Sequence, residues 1–306
     1  MAVIQWYPGH MAKAKKQLIE NLKLIDVVIE LRDARIPYSS CNPDFAQLFE
    51  KKRRVVVLNK GDLANNEESK AWCSSLKQQE GHAALAIDVY NQKDVSRLIS
   101  LLKRTADEIR ASLPPKKIFI GQGRIIRVMI VGIPNVGKSS LINSIVKKNV
   151  AKAENRPGVT KGNQWIRILP GIELLDTPGV LWNKFSSLQT GMNLAICGAI
   201  RDDILDIGDI AGNLMEQLAG FGRIENTNPE LAGFVLGQEL LAAFAKKRGM
   251  LATGGVPDLN KAAPIVLKEF RAGKFGPLSL EMWSTEKATL VRYERVKEES
   301  DDPREL

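Results

Sequence analysis

IIRVMIVGIPNVGKSSLIN, residues 125–143, passes from a short apolar run through a glycine-bounded loop into an amphipathic stretch. The loop itself, GIPNVGKS from Gly132 to Ser139, fits the pattern G-x-x-x-x-G-K-[ST], which is informative only between a strand and a helix. Both flanks are present here. The glycines allow backbone amides to converge on phosphate oxygens, so Asn135, Val136, Gly137, Lys138, Ser139 and Ser140 are the candidate cradle. Lys138 supplies a point charge to the β/γ oxygens, and the Ser139 hydroxyl is a ligand for Mg2+. About twenty residues downstream, ENRPGVTKG places Thr160 where a switch threonine contacts magnesium and senses a γ-phosphate. LLDTPG then offers Asp176, whose carboxylate holds the metal through its water shell, and Gly179, whose amide faces the γ-phosphate.

Upstream of this loop stands VVVLNKGD, residues 55–62. Asn59-Lys60-Gly61-Asp62 closes an apolar strand, at the edge where a doubly wound sheet presents ligands. A carboxylate at Asp62 accepts from both N1–H and N2–H of guanine, a pairing adenine does not offer, while Asn59 holds adjacent loops together. The nucleotide expected is therefore GTP or GDP. A second base-contacting loop is expected around Ala86-Ile87-Asp88, although the common Ser-Ala-Lys pattern is absent there, which leaves backbone amides to reach the guanine carbonyl. The base-reading element precedes the phosphate-reading one, an order explained by circular permutation: the same sheet forms, with its natural ends joined and new ends opened elsewhere. The segment after Asp176 then leads directly into whatever follows the nucleotide-binding module.

The chain has 306 residues, is 44% hydrophobic and 26% charged, and carries a formal charge of +9, values of a folded protein with room for two domains. The basic balance suits an anionic partner, nucleic acid above all, and equally a merely basic soluble enzyme. Three scattered cysteines, Cys41, Cys73 and Cys197, form neither a disulfide framework nor a zinc site and fit a reducing cytoplasm. MAVIQWYPGHMAKAKK has no signal-peptide core and no membrane span, and it lacks the Arg and Ser of a transit peptide, so it reads as part of the mature protein.

Short apolar runs at 25–31, 54–60, 83–88, 125–132, 165–169 and 172–176 read as buried strands, with amphipathic stretches such as QKDVSRLISLLKRTADEIRASL between several of them. Alternation of this kind predicts an α/β, mostly parallel sheet with helices on both faces: a circularly permuted P-loop GTPase domain over residues 1–185. Beyond it, PELAGFVLGQELLAAFAKKRG (229–249) and a run from Asp258 to Phe270 predict an all-α domain over 186–306, with Pro264 starting or kinking the last helix and KEESDDPREL as a disordered tail.

WYPGHMAKA, DARIPYSSCNP (33–43), NKGD, GIPNVGKSSLIN, RPGVT, DTPGVLW and KEFRAGKFGPLSLE, in this order, resemble the circularly permuted YlqF/RbgA family of ribosome biogenesis GTPases over about residues 4 to 282. The resemblance implies a cytoplasmic GTPase acting late in large (50S) subunit assembly, released on hydrolysis, and a C-terminal helical domain that contacts rRNA. No membrane partner is expected, and the protein is expected to be a monomer. It also bears on hydrolysis. Ras-like enzymes place a water-orienting glutamine after D-x-x-G, whereas this chain has Val180, which with Ile133 resembles the hydrophobic pair of the family. His10, in WYPGHM, either only packs or caps the following helix, or swings toward the γ-phosphate and positions water; Trp6, Tyr7, Pro8 and Gly9 suggest a hinged segment and not a regular helix. Asn135 either stabilises the loop or, as in cation-dependent GTPases, binds K+ beside the β/γ bridge. Candidate catalytic residues are thus His10, Lys138 and Thr160.

Basic groups at Lys13, Lys15 and Lys16, at 116–117, at Lys147, Lys148 and Lys152, and at Lys246, Lys247 and Arg248 are candidates for phosphate contact or plain solvated faces. In KEFRAGKFG, Lys268, Arg271 and Lys274 interleave with Phe270 and Phe275, a pattern suited to phosphate contacts with base stacking, the alternative being that Phe270 is core at helical spacing from Val266 and Leu267. The rival functions are a GTP-dependent RNA-binding scaffold with little hydrolysis, and a tRNA-modification-type GTPase.

Overall fold

The computed structural model describes residues 9–79, 82–112, 124–150, 165–175, 185, 187–222 and 237–283. Helix α1 (Gly9–Leu22) leads into β1 (Val27–Asp33), α2 (Asp44–Leu48), β2 (Arg53–Asn59), α3 (Asn66–Gln79), β3 (Ala83–Ala86) and α4 (Gln92–Ala111). Strand β4 (Ile126–Gly132), α5 (Lys138–Val150), β5 (Trp165–Leu169) and β6 (Ile172–Leu175) follow. The remaining elements are helical: α6 (Leu188–Ile196), a short 3-10 turn at Asp202–Ile204, α7 (Ile207–Gly220), α8 (Gly237–Lys247) and α9 (Leu259–Arg271). Among the described residues no helix is long and apolar enough to cross a membrane.

The six strands make one sheet in the order β3-β2-β1-β4-β6-β5, parallel except where β5 turns back on β6. Val-, Ile- and Leu-rich strands buried on both faces are what a parallel sheet covered by helices requires, and β1 is buried at every position. One face carries Val27, Ile29, Leu31, Val55, Val57, Val128 and Ile130 against α4 and α5. Helix α4 turns Val95, Leu98, Ile99, Leu102, Thr105 and Ala106 inward, a stripe at helical spacing, and Asn91 caps it by accepting from the Lys93 amide. The opposite face has two smaller cores. Leu18, Leu22, Phe45 and Phe49 cover Val28, Met129 and Val131, while Trp72, Cys73 and Leu76 cover Val56, Leu58 and Ala84. On the same side of β1, the fully buried Glu30 accepts from Arg32 and from Arg54 of β2; burial opposes its charge, but the two guanidiniums outweigh burial and hold its carboxyl below the ordinary range.

The permuted order has a geometric sense. Strand β1 pairs with β2 on one side and β4 on the other, so the loops expected to read base and phosphate leave the same carboxyl edge one strand apart.

Two local expectations change. Gly9 and His10 belong to α1, so they are helical where a hinge was expected. Of the two alternatives for Pro264, the helix start is excluded: Asp258 caps α9 by accepting from the Lys261 amide, and the proline lies inside the helix.

The helical part shares a continuous apolar cluster with the sheet, through Met192, Leu194, Leu214, Phe244, Val266 and Phe270. A strap at residues 278–283 then returns to the first elements. Its Leu278 and Leu280 amides donate to the Leu63 and Arg35 carbonyls at 2.9 and 2.8 Å, and the Trp283 ring meets Trp72 edge-on at 4.9 Å. The buried Glu281 carboxylate accepts from the Tyr38 amide at 2.7 Å, the Ser39 amide at 3.1 Å and the Asn193 side chain at 3.0 Å. Glu281→Ala leaves those donors buried without their acceptor and is expected to cost about 3 kcal/mol in urea unfolding; a loss below about 1 kcal/mol would mean that water replaces the carboxylate.

Candidate functional site

The site is built on the carboxyl ends of β1, β2, β3 and β4, which terminate at Asp33, Asn59, Ala86 and Gly132. After β4 the chain turns sharply. Gly132 passes so close to β1 that a Cβ there would stand 2.4 Å from the Leu31 carbonyl oxygen. Asn135 and Gly137 have φ of 56° and 102°, a left-handed geometry that curls the backbone around a concavity suited to anions. Lys138, the first residue of α5, is buried and donates from Nζ to the Ile133 and Gly132 carbonyls at 2.8 and 3.2 Å, which sets its ammonium inside the loop. Ser139 and Ser140 follow in the first turn of α5, where the helix dipole also favours negative charge.

Asn59 locks the two reading loops together. Its Nδ2 donates to the Val136 carbonyl at 2.7 Å, across 77 residues of sequence. A Cβ on Gly137 would lie 2.3 Å from that nitrogen, so only glycine permits the approach. Lys60, with φ of 61°, turns the chain so that Gly61 donates from its amide to the Ile87 carbonyl at 2.9 Å and Asp62 projects an exposed carboxylate. Partial burial of this otherwise exposed group, and then the neighbouring Asp88 charge, push the Asp62 carboxyl above its ordinary value, so a ligand offering two N–H donors would relieve a local excess of negative charge. The loop after β3 is fixed by its own carboxylates: the Asp88 amide donates to Asp94, the Tyr90 amide donates to Asp88, and the Tyr90 hydroxyl stands 3.4 Å from the Ser140 hydroxyl.

The structure therefore brings Asn59, Lys60, Asp62, Val136, Gly137, Lys138, Ser139 and Ser140 to one edge of the sheet. Asn135 is beside them, but its side chain donates to the Gly198 carbonyl at 2.7 Å, beyond the loop and at the end of α6. Ile133 is fully buried beneath the loop. Thr160, Asp176, Gly179 and Val180 lie outside the described residues, and of His10 only the backbone is described. Phe270 and Phe275 are buried, Arg271 is held by Asp202 and the Ala195 and Ile196 carbonyls, and Lys274 pairs with Glu269. That corrects the base-stacking alternative for KEFRAGKFG: its aromatic rings are core.

Two residues escaped the sequence reading. Asp33 accepts from the Arg35 amide, from Arg35 Nε at 3.0 Å and Nη2 at 2.8 Å, and from Lys60 Nζ at 2.9 Å, all while buried. Glu281 is the other, described above. Their only signal was an acid in DARIPYSS and another in LSLE, neither of which has an intrinsic spacing to announce a partner.

Such a sheet order with such a site defines a circularly permuted P-loop GTPase. A model of the 50S ribosome-binding GTPase family matches residues 127–230. The ribosome biogenesis GTPase A of Bacillus cereus is 44% identical over 283 residues, covering 91% of this chain and 94% of that one. The protein of the same name from Thermotoga maritima is 32% identical over 96% of this chain and 99% of its own. Two solved YlqF structures, one GDP-bound and one GNP-bound from T. maritima, superpose with a TM-score of 0.62 at 28% identity, covering 88% of this chain and 99% and 98% of theirs. The chain belongs to the ribosome biogenesis GTPase A family.

Replacing Asp62 by Asn removes a charge-assisted acceptor for guanine, and GDP affinity should fall about 100-fold. Because the Asp62–Asp88 repulsion is relieved as well, the nucleotide-free variant should unfold at no lower temperature than the parent; calorimetry and thermal melts read the two effects separately. A second expectation concerns acid. Burial raises the Asp33 carboxyl, but Arg35 and then Lys60 outweigh burial and hold it well below the ordinary 3.8, so its stabilisation is complete above that value and drains away as pH falls below it. Urea midpoints followed from pH 7 downward should decline more steeply for the parent than for Asp33→Asn, and equal slopes would contradict the assignment.

Proposed function

We propose that this GTPase binds precursor large (50S) ribosomal subunits in its GTP form, promotes their late assembly and leaves on hydrolysis. The observation that carries this reading is the similarity to ribosome biogenesis GTPase A relatives along nearly the whole chain, including the helical part. The site residues support the nucleotide half. Asp62 reads guanine, Asn59 joins base and phosphate loops, and the amides and ammonium from Asn135 to Ser140 hold the phosphates. A magnesium ion fits the donor set, since Ser139 presents an exposed hydroxyl beside Lys138, and Thr160 and Asp176 would complete a group of hard oxygens. When bound, it would neutralise charge on the β- and γ-phosphates. The Asn135 side-chain oxygen is the candidate ligand for K+, with its amide nitrogen already committed to Gly198.

For the chemical step, His10 is the water-positioning candidate. It lies in α1, a helix anchored through Leu18 and Leu22 to the face of the sheet opposite α4 and α5, and a ribosomal partner docking there would bring the imidazole to the γ-phosphate. The signal would leave through the helical part, taken as residues 186–306 beside a 1–185 GTPase domain. Two bonded connections support that route: Asn135 to the turn after α6, and Glu281 to the loop after β1. Exposed Lys13, Lys16, Lys147, Lys246 and Lys247 supply positive charge for rRNA phosphates. The working form is a cytoplasmic monomer.

GTP turnover should rise at least tenfold when 50S subunits are added in potassium buffer with magnesium, and should fall when sodium replaces potassium. His10→Ala should keep GTP affinity and lose the stimulated rate. Tight GTP-dependent subunit binding without any stimulation would instead favour a scaffold.

A further inference from the structure

Among the described residues, Tyr90 is the large aromatic left exposed beside the ends of β3 and α5. It is 76% exposed, whereas a tyrosine ordinarily buries most of its ring. Its position is nevertheless fixed. The Tyr90 amide donates to Asp88 Oδ1 at 2.8 Å, the Asp88 amide donates to Asp94 Oδ2 at 3.0 Å, and Asn91 caps α4 immediately afterwards. From this anchored loop the side chain reaches across to the start of α5, its hydroxyl 3.4 Å from the Ser140 hydroxyl.

The two ends of that reach matter. Asp88, two residues before Tyr90, is close enough for its charge to be felt at Asp62, and the same loop is tied to the base-reading turn by the Gly61 amide to the Ile87 carbonyl. Ser140 lies two residues beyond Lys138 in the phosphate loop. A nucleotide with its base edge on Asp62 and its phosphates in the loop would span the same two regions that Tyr90 links. An exposed aromatic face in that place is suited to a purine face, because stacking asks only for a flat π-surface and not for a particular edge.

We propose that Tyr90 is a guanine-contacting residue whose ring lies against the face of the base and closes one side of the nucleoside site, with its hydroxyl steadied by Ser140. The assignment rests on the reading of Asp62 as the guanine acceptor. Edge recognition and face recognition are then divided between β2 and the loop after β3, and the missing Ser-Ala-Lys pattern in that loop is offset by a ring that supplies contact area.

The test is calorimetric titration of GDP, with magnesium, into the full chain and its Tyr90→Ala and Tyr90→Phe variants, with thermal melts of the nucleotide-free proteins. Tyr90→Ala should weaken GDP binding about tenfold, and Tyr90→Phe, which keeps the ring, should stay within about twofold. The nucleotide-free melts should coincide, which a merely structural role would not allow for a weakened variant. The decisive arm uses xanthosine diphosphate with Asp62→Asn, where the edge pairing is changed and the face is not. Adding Tyr90→Ala there should cost the same factor as for GDP. Parent-like affinity in Tyr90→Ala overturns the proposal, and so does a Tyr90→Phe loss as large as that of Ala, which would assign the effect to the hydroxyl. Failure of the parent itself to bind GDP would overturn the guanine reading and Tyr90 with it.

Discussion

A single buried carboxylate, Asp33, is the constraint on which the site and the helical part both depend. It ends β1, and its two oxygens accept from the Arg35 backbone and side chain and from Lys60 of the base-reading turn. Removing such a charge from water is costly unless its partners surround it, and here two cations and a backbone amide do so. The consequence spreads in both directions. Lys60 is held in its left-handed turn, which aims Asp62; Arg35 is held rigid, so that its guanidinium lies 5.1 Å from the Phe270 ring centroid of α9 and its carbonyl receives the Leu280 amide. The turn after β2 and the docking of α9 are thereby set by the same ion cluster.

Much of the sheet was legible because its strands are short apolar runs buried on both faces, and 165–169 matches β5 residue for residue. The phosphate loop was legible for a different reason: glycine at 132 and 137 is demanded by left-handed or crowded backbone, and a lysine must follow, so chemistry and spacing coincide. Antiparallel β5 carries no mark in its composition that separates it from its parallel neighbours; orientation comes from the tight turn at Gly171, with φ of 71°. The strap was illegible. LSLE looks like any turn-rich segment, and its meaning lies in amides at Tyr38 and Ser39 that no local pattern connects to it. KEFRAGKFG misled in the opposite direction, since basic and aromatic residues interleave equally well in a nucleic-acid surface and in an amphipathic helix end whose rings face the core.

Permutation changes what is attached to what without changing the sheet. The base-reading strand comes early and the phosphate loop late, yet Asn59 reaches Val136 as a direct hydrogen bond. The described helices after residue 187 touch the nucleotide edge at two places of different character: Asn135 of the phosphate loop bonds the turn after α6, and the 278–283 strap bonds the residues around Arg35 and Leu63. The helical part is therefore bonded both to the loop after β4 and to the segments that follow β1 and β2.

The strap has a further consequence in the order of synthesis. Its Glu281 meets Tyr38 across 243 residues, and at ordinary elongation rates that separation is on the order of tens of seconds. Throughout that interval the amides at Tyr38 and Ser39, and the Trp72 face that Trp283 later meets, lack their final covering. A nascent chain of this protein thus carries the loop after β1 and the turn at Leu63 without their last partners until residues 278–283 have emerged.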